Sequence, residues 1–192
     1  MIILVGESAS GKSTIQKVLV EKYNFHKTPS YTTRPKRENE VDGIDYCFVS
    51  DEEFDKKKRS GFFVETASYR GWKYGTPQEV ISQESVVILT PRGFRSLKYY
   101  LYETDKDKFN TAVSFYLNVP RRDRLLKLFK RGDDIEEAYR RSLSDVVQFD
   151  GIEDEVDFVV DNSSYNKAPV DLADEINRCY QRYCFRQEEK DD

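Results

Sequence analysis

One octapeptide constrains this chain more than any other part of it. Gly6-Glu7-Ser8-Ala9-Ser10-Gly11-Lys12-Ser13 follows the spacing G-x-x-x-x-G-K-[ST] in full. The run before it, Ile2 to Val5, is short, apolar and rich in β-branched residues, and it stops at a glycine, as a buried parallel strand does. After it, Ile15, Val18, Leu19 and Tyr23 fall at helical spacing, so a helix is expected over Lys12 to Tyr23. Strand, glycine loop and helix open a βαβ unit. Glycines let the backbone of such a loop curl until several amides face one phosphate, and the positive end of the helix adds to them. The motif therefore implies that Gly6 through Thr14 bind the phosphates of ATP. Lys12 would bridge the outer phosphates, and the Ser13 hydroxyl would bind Mg²⁺.

The rest of the chain alternates in the same way. Strands are expected over Ser85 to Thr90, Ala112 to Val119 and Val156 to Val160, and helices over Pro91 to Tyr102, Arg121 to Lys130, Ile135 to Phe149 and Val170 to Tyr183. Arg131-Gly132-Asp133-Asp134 separates two of the helices. Leu172, Ala173, Ile176, Cys179 and Tyr183 form one stripe of the last. Such alternation indicates a three-layer α/β fold with a mostly parallel sheet. The segment from 28 to 76 breaks the pattern. Residues 28 to 46 lack a long apolar period, Ser50-Asp51-Glu52-Glu53 reads as a capping box, and a short helix ends at Gly61. Phe62 to Tyr69 and Trp72 to Tyr74 flank Arg70-Gly71 as a hairpin would. This stretch reads as a small α+β insertion.

Composition narrows the function. With 31 basic and 35 acidic residues the net charge is -4, which argues against a general nucleic-acid binder. The cysteines, Cys47, Cys179 and Cys184, are scattered and odd in number, so a reducing cytoplasm is expected and a disulfide framework is not. His26 is the single histidine, which makes a zinc site improbable. The apolar start is too short for a signal peptide, and no later stretch approaches a membrane span. The polar tail Gln187 to Asp192 is expected to be disordered.

The segment after the loop names a family. Ser30-Tyr31-Thr32-Thr33-Arg34-Pro35-Lys36-Arg37, then Gly43-Ile44-Asp45-Tyr46-Cys47-Phe48, then Glu65, then Tyr74-Gly75-Thr76 resembles the guanylate kinases, which carry S-x-T-T-R-x-x-R, G-x-D-Y-x-F, a glutamate and Y-G-[ST] in this order. The resemblance implies a P-loop NTPase fold in three parts. A core would comprise residues 1–30 and 77–186, a nucleoside-monophosphate-binding insertion residues 31–76, and a helical lid residues of about 131–150. It implies ATP-dependent phosphorylation of a nucleoside monophosphate, GMP or dGMP above others, with Mg²⁺, in a cytoplasmic monomer or homodimer. It assigns Arg34, Arg37, Tyr46 and Tyr74 to the acceptor phosphate, and Ser30, Glu65 and Thr76 to the base. The chemistry agrees: arginine forks fit phosphate oxygens, and a carboxylate matches the two adjacent N–H donors of guanine. Arg131 matches the first arginine of the family's lid. Without a gap, Ser142 falls at the second, and a slip of one residue would let Arg141 serve. The alternative for Arg141, and for Arg140 beside it, is a solvated helix with i, i+4 pairs such as Glu136 with Arg140 and Glu137 with Arg141.

The resemblance also fails at one place. Guanylate kinases carry D-x-D-x-Q-G after their second core strand; here the segment is Ile88-Leu89-Thr90-Pro91-Arg92-Gly93. Ile88 stands where the family has an aspartate that helps order Mg²⁺, and Thr90 where it has one that binds guanine. Altered base selectivity is therefore one alternative, with Thr90 offering a neutral hydrogen bond. A non-catalytic guanylate kinase-like binding domain and a kinase of a phosphorylated sugar are others. Lys12, Ser13, Arg34 and Arg37 argue against the second, Glu65 and the Gly43–Phe48 segment against the third.

Overall fold

Every residue of the first strand is apolar because both of its faces are covered. A computed structural model describes residues 1–191 apart from 28, 39, 70, 79–81 and 83. In it β1 (Ile2–Val5) lies between β7 (Ser85–Leu89) and β8 (Val113–Asn118) and is parallel to both. β2 (His26–Lys27) and β9 (Phe158–Asp161) complete a five-stranded sheet in the order β2-β7-β1-β8-β9, with all pairings parallel. Successive side chains of a strand point to opposite faces. Ile2 and Leu4 accordingly join one core, with Ile15 and Leu19 of α1 (Lys12–Tyr23) and Leu172, Ala173, Ile176 and Tyr180 of α7 (Pro169–Asp191). Ile3 and Val5 join the other, with Phe94, Leu97 and Leu101 of α3 (Pro91–Thr104). Two cores around one sheet make the three layers that the alternation of elements implies.

This arrangement aims three connections at one edge. β1, β7 and β8 run parallel in register, so Val5, Leu89 and Tyr116 lie side by side. Gly6 and Thr90 leave the sheet at its carboxyl edge, the usual ligand edge of open parallel sheets. The inserted segment forms a second sheet in the order β4-β3-β6-β5, from Cys47–Phe48, Tyr31–Thr32, Trp72–Pro77 and Phe63–Tyr69. The pair β5–β6 is an antiparallel hairpin turning at Gly71; its other predicted turn residue, Arg70, lies outside the described residues. α2 (Asp51–Arg59) closes one side. The Ser50 hydroxyl accepts from the Glu53 amide at 3.1 Å, and Phe54 stacks on Phe63 with ring centroids 4.7 Å apart. The region expected to form a lid consists of the end of α5 (Arg121–Lys130), a turn, and α6 (Ile135–Gln148).

Four details differ from the sequence expectations. β2 is only two residues long, too short to leave a periodic signal. An extra helix, α4 (Lys106–Thr111), is set off from α3 by Asp105, whose carboxylate accepts from the Lys108 amide at 3.0 Å. β9 begins at Phe158, two residues after Val156. The Asp157 carboxylate just before it is tied to the amide of Ser114 at 2.8 Å, which fixes where pairing with β8 starts. α7 continues to Asp191, so 187–191 are helical and not a disordered tail; glutamine, glutamate and lysine extend a helix already nucleated by packing.

Leu19 is fully buried where α1 packs on the sheet. Leu19→Ala is expected to cost about 2–5 kcal/mol, read as a lower urea midpoint at unchanged slope.

Candidate active site

The glycine loop is closed on its own lysine. The Lys12 ammonium donates to the carbonyls of Gly6 at 2.6 Å and Glu7 at 2.7 Å, and to the Ser10 hydroxyl at 3.3 Å. Gly11 takes φ of +102°, a conformation that L side chains rarely adopt, and this turns the chain from loop into helix. Gly11 caps α1 with no side-chain hydrogen bond, so the positive end of the helix opens onto the loop as an anion site requires. Burial is the main influence on Lys12 and lowers its pKa to about 8, against the pull of Asp145 and Glu7. From below, the Tyr165 hydroxyl donates to the carbonyl of Ala9 at 2.8 Å.

A buried ion cluster ties this loop to the lid. Arg124 on α5 is 5% exposed. Its guanidinium donates to Glu7 Oε1 at 3.0 Å, to Asp145 Oδ2 at 3.4 Å and to the carbonyl of Val119 at 2.9 Å. Asp145 on α6 accepts in turn from the amide of Ser8 at 3.0 Å. One lid carboxylate thus holds both a loop amide and the arginine that pairs with the loop glutamate. Neither Arg124 nor Asp145 was expected from motifs. The available signal was position: Arg124 precedes Leu128 by one turn, which puts a charge on the buried stripe of α5.

Two cavities flank the loop. One, of about 750 Å³, lies against Ser10, Gly11 and Thr14 and is walled by Lys127, Asn162 and Tyr165. The Lys127 ammonium sits 4.0 Å from the centroid of the Tyr165 ring. The other, of about 600 Å³, opens on Gly6, Ser8 and Lys12 and reaches Ser30, Tyr46, Glu65, Tyr74 and Thr90. Both fall in the size range of small-molecule sites.

Of the acceptor residues that the motifs single out, Ser30, Tyr46, Glu65, Tyr74 and Thr90 line the second cavity, and Arg34 and Arg37 do not. Arg34 lies over the rings of Tyr46 and Phe48 at 5.5 and 5.6 Å, and Tyr46 is edge-on to Tyr74 at 6.1 Å. Arg34 and Arg37 converge, but on a carboxylate. Glu40 accepts from the Arg34 guanidinium at 2.7 Å and from the Arg37 amide at 2.9 Å. Against the cost of its burial, these bonds hold the Glu40 carboxyl below the usual range. Deeper in, burial pushes the Glu65 carboxyl up, opposed by a 2.8 Å hydrogen bond from the Thr76 hydroxyl. Thr76 is itself buried and does not line the cavity, so its hydroxyl reaches it through Glu65. Thr90 caps α3, its hydroxyl oxygen accepting from the Gly93 amide at 3.2 Å. Arg131 and Arg141 line neither cavity. Arg131 pairs with Asp133, and Arg141 donates to Glu137 at 2.7 Å, the i, i+4 pair that the helix spacing offers.

Arg124→Ala would remove the only guanidinium hydrogen-bonded to Glu7 and Asp145 among the described residues and leave Lys12 as their nearby cation. It is expected to cost about 3–5 kcal/mol in a denaturant titration, whereas Asp145→Asn, which keeps the Ser8 bond, should cost less than half of that.

Comparison with known proteins adds to this geometry. The guanylate kinase family model matches residues 1–179. A guanylate kinase from Symbiobacterium thermophilum is 34% identical over 182 residues, covering 90% of this chain and 82% of the relative. One from Rubrobacter xylanophilus is 31% identical, with 93% of each chain covered. The crystal structure of guanylate kinase from Anaplasma phagocytophilum superposes with a TM-score of 0.64 at 25% identity, over 94% of this chain and 85% of that one. A parallel sheet with a glycine loop at its carboxyl edge and a second, inserted sheet are thus accompanied by sequence similarity along nearly the whole chain: it belongs to the guanylate kinase family of nucleoside monophosphate kinases.

Proposed function

We propose that this protein transfers the γ-phosphoryl group of ATP to GMP or dGMP, giving ADP and the nucleoside diphosphate. The observation that carries the reading is the pair of cavities meeting at one loop, with Ser10, Gly11 and Thr14 on one side and Gly6, Ser8 and Lys12 on the other. Two nucleotides held there would point their phosphates at each other across Lys12. The adenosine of ATP takes the cavity beside Asn162 and Tyr165, and its phosphates lie along the loop from Gly6 to Thr14. Lys12 leaves the carbonyls of Gly6 and Glu7 for the outer phosphates.

Magnesium fits this donor set as an ion that arrives with the nucleotide. Among the described residues no group of three acidic, histidine or cysteine side chains forms a cage. Mg²⁺ needs none, because it keeps several waters and takes its remaining oxygens from phosphates and one or two side chains. The Ser13 hydroxyl, exposed on the first turn of α1, is that side chain. When bound, the ion neutralises charge on the β and γ oxygens.

On the acceptor side, the monophosphate displaces Glu40 from Arg34 and Arg37 and takes the hydroxyls of Tyr46 and Tyr74. Glu65, oriented by Thr76, reads the base, with Ser30 and Thr90 beside it. An acceptor phosphate oxygen then attacks the γ phosphorus, the bond to the β–γ bridging oxygen breaks, and ADP leaves. The attacking oxygen is already anionic, so no general base is required; positioning and charge neutralisation supply the rate. Arg131 and Arg141 exchange Asp133 and Glu137 for the transferring group when the lid approaches. The free state of Cys47, Cys179 and Cys184 suits a reducing cytoplasm, where we place the protein as a monomer or homodimer.

Lys12→Ala is expected to lower kcat about 10²–10³-fold, as loss of a transition-state cation does. Arg34→Ala should raise the KM for GMP and lower kcat together, with a combined loss of about 10- to 150-fold in kcat/KM from the missing charge-assisted bonds. Unchanged constants in a coupled ADP-release assay would remove Arg34 from the site. A third expectation follows from the lowered pKa of Lys12, about 8. Above that pH the free lysine is largely neutral, and added phosphates restore its proton. ATP binding at pH 8.5 should therefore take up a proton that is not taken up at pH 6.5, measured by calorimetry in buffers of differing ionisation enthalpy.

A further inference from the structure

The base-binding end of the acceptor cavity contains a cation that no motif assigns. Arg92, in the first turn of α3, lines this cavity together with Glu65, Ser30 and Thr90. Glu65 Oε1 is occupied by Thr76, and Oε2 lies against Gly93, so close that a Cβ there would come within 3.0 Å of it. The free oxygen of Glu65 therefore sits beside the residue that follows Arg92, and the guanidinium's charge favours the ionised carboxylate. Among the described residues no carboxylate forms an ion pair with Arg92. Arg95, one turn further along the helix, is engaged by Glu155.

A buried acceptor and an unpaired donor fork thus share one cavity. Guanine presents N–H donors at N1 and N2 and, on its adjoining edge, two acceptors, O6 and N7. Adenine keeps N7 but places an amino donor where guanine has O6. A carboxylate together with a guanidinium complements guanine, and a guanidinium facing the amino group of adenine opposes it. We propose that Arg92 is a specificity-determining residue, which binds O6 and N7 of the guanine base while Glu65 binds the N1 and N2 donors. The inference rests on the acceptor-site reading above. It changes what the missing aspartate at Thr90 means: selectivity for guanine is supplied from the other edge of the base, and is not relaxed.

The test compares kcat/KM for GMP, AMP and 7-deaza-GMP, which lacks the N7 acceptor, in the wild-type enzyme, Arg92→Gln and Arg92→Ala. Arg92→Ala is expected to lose about 5- to 150-fold in kcat/KM on GMP, the worth of one bidentate arginine–guanine contact. The loss should fall mostly in the KM for GMP, with the KM for ATP unchanged and Arg92→Gln intermediate. Wild type should lose activity on 7-deaza-GMP, and Arg92→Ala should lose less on that substrate than on GMP, because the two changes remove part of the same contact. A variant that merely disturbed α3 would lose equally on both substrates, and that result overturns the proposal, as does a GMP constant within twofold of wild type. If wild type did not phosphorylate GMP at all, the acceptor-site reading would fall and this one with it; GMP turnover with an indifferent Arg92 overturns this one alone.

Discussion

The guanidinium of Arg124 is the interaction on which the geometry of the phosphate loop depends. It is buried, and charges are buried in proteins only where they are paired and hydrogen-bonded. Its three partners belong to three different elements: Glu7 to the loop, Asp145 to the lid helix, and the Val119 carbonyl to the end of β8. Moving any one of them away would strand a charge in a low-dielectric interior. The arrangement fixes where the loop sits relative to the lid before any nucleotide is present. It also gives Asp145 two roles, since the same carboxylate oxygen accepts from Ser8 of the loop. Motion of α6 relative to the loop must therefore be coupled to that amide.

A related economy governs the acceptor side. Arg34 and Arg37 would repel one another if both were left bare, and Glu40 takes up the charge of both. The acceptor phosphate of the proposed reaction would offer the same acceptor geometry with more charge, so that exchange would replace one set of charge-assisted bonds by a stronger one. Lys12 behaves alike: carbonyls of its own loop occupy the ammonium that the reaction needs. In both places the cations are held by acceptors of the chain itself, so on the proposed function substrate binding would need only a change of partner for these side chains.

Much of this was legible in the sequence, for local reasons. The β1–loop–α1 unit, the boundaries of α5 and the hairpin of the insertion follow from apolar periodicity and glycine placement, which act over a few residues. Ser30, Arg34, Tyr46, Glu65 and Tyr74 stand out in the sequence because they follow a fixed order; all but Arg34 line one cavity, and Arg34 lies over the ring of Tyr46. What was not legible depends on partners far along the chain. Arg124 and Glu7 are separated by 117 residues, and Asp157 sets the start of β9 through Ser114, 43 residues away. A helical tail through Asp191 likewise follows from a helix anchored elsewhere, not from the polar composition of its last turn.

The sequence by itself determined the donor chemistry, because G-x-x-x-x-G-K-S between an apolar strand and a helix specifies its backbone locally and its phosphate affinity with it. It determined the class of acceptor through a series of short motifs, each of which is a local solution to holding a phosphate or a base. Only the tertiary structure decided how those solutions are combined. It decided that Glu40 pairs with Arg34 and Arg37, that Thr76 reaches the cavity through Glu65, and that Arg92 lines the same cavity as Glu65. The physical reason is that the charge environment of a side chain is set by whatever is packed within a few ångströms of it. In a fold built from crossovers and an insertion, those neighbours come from segments that no sequence window contains.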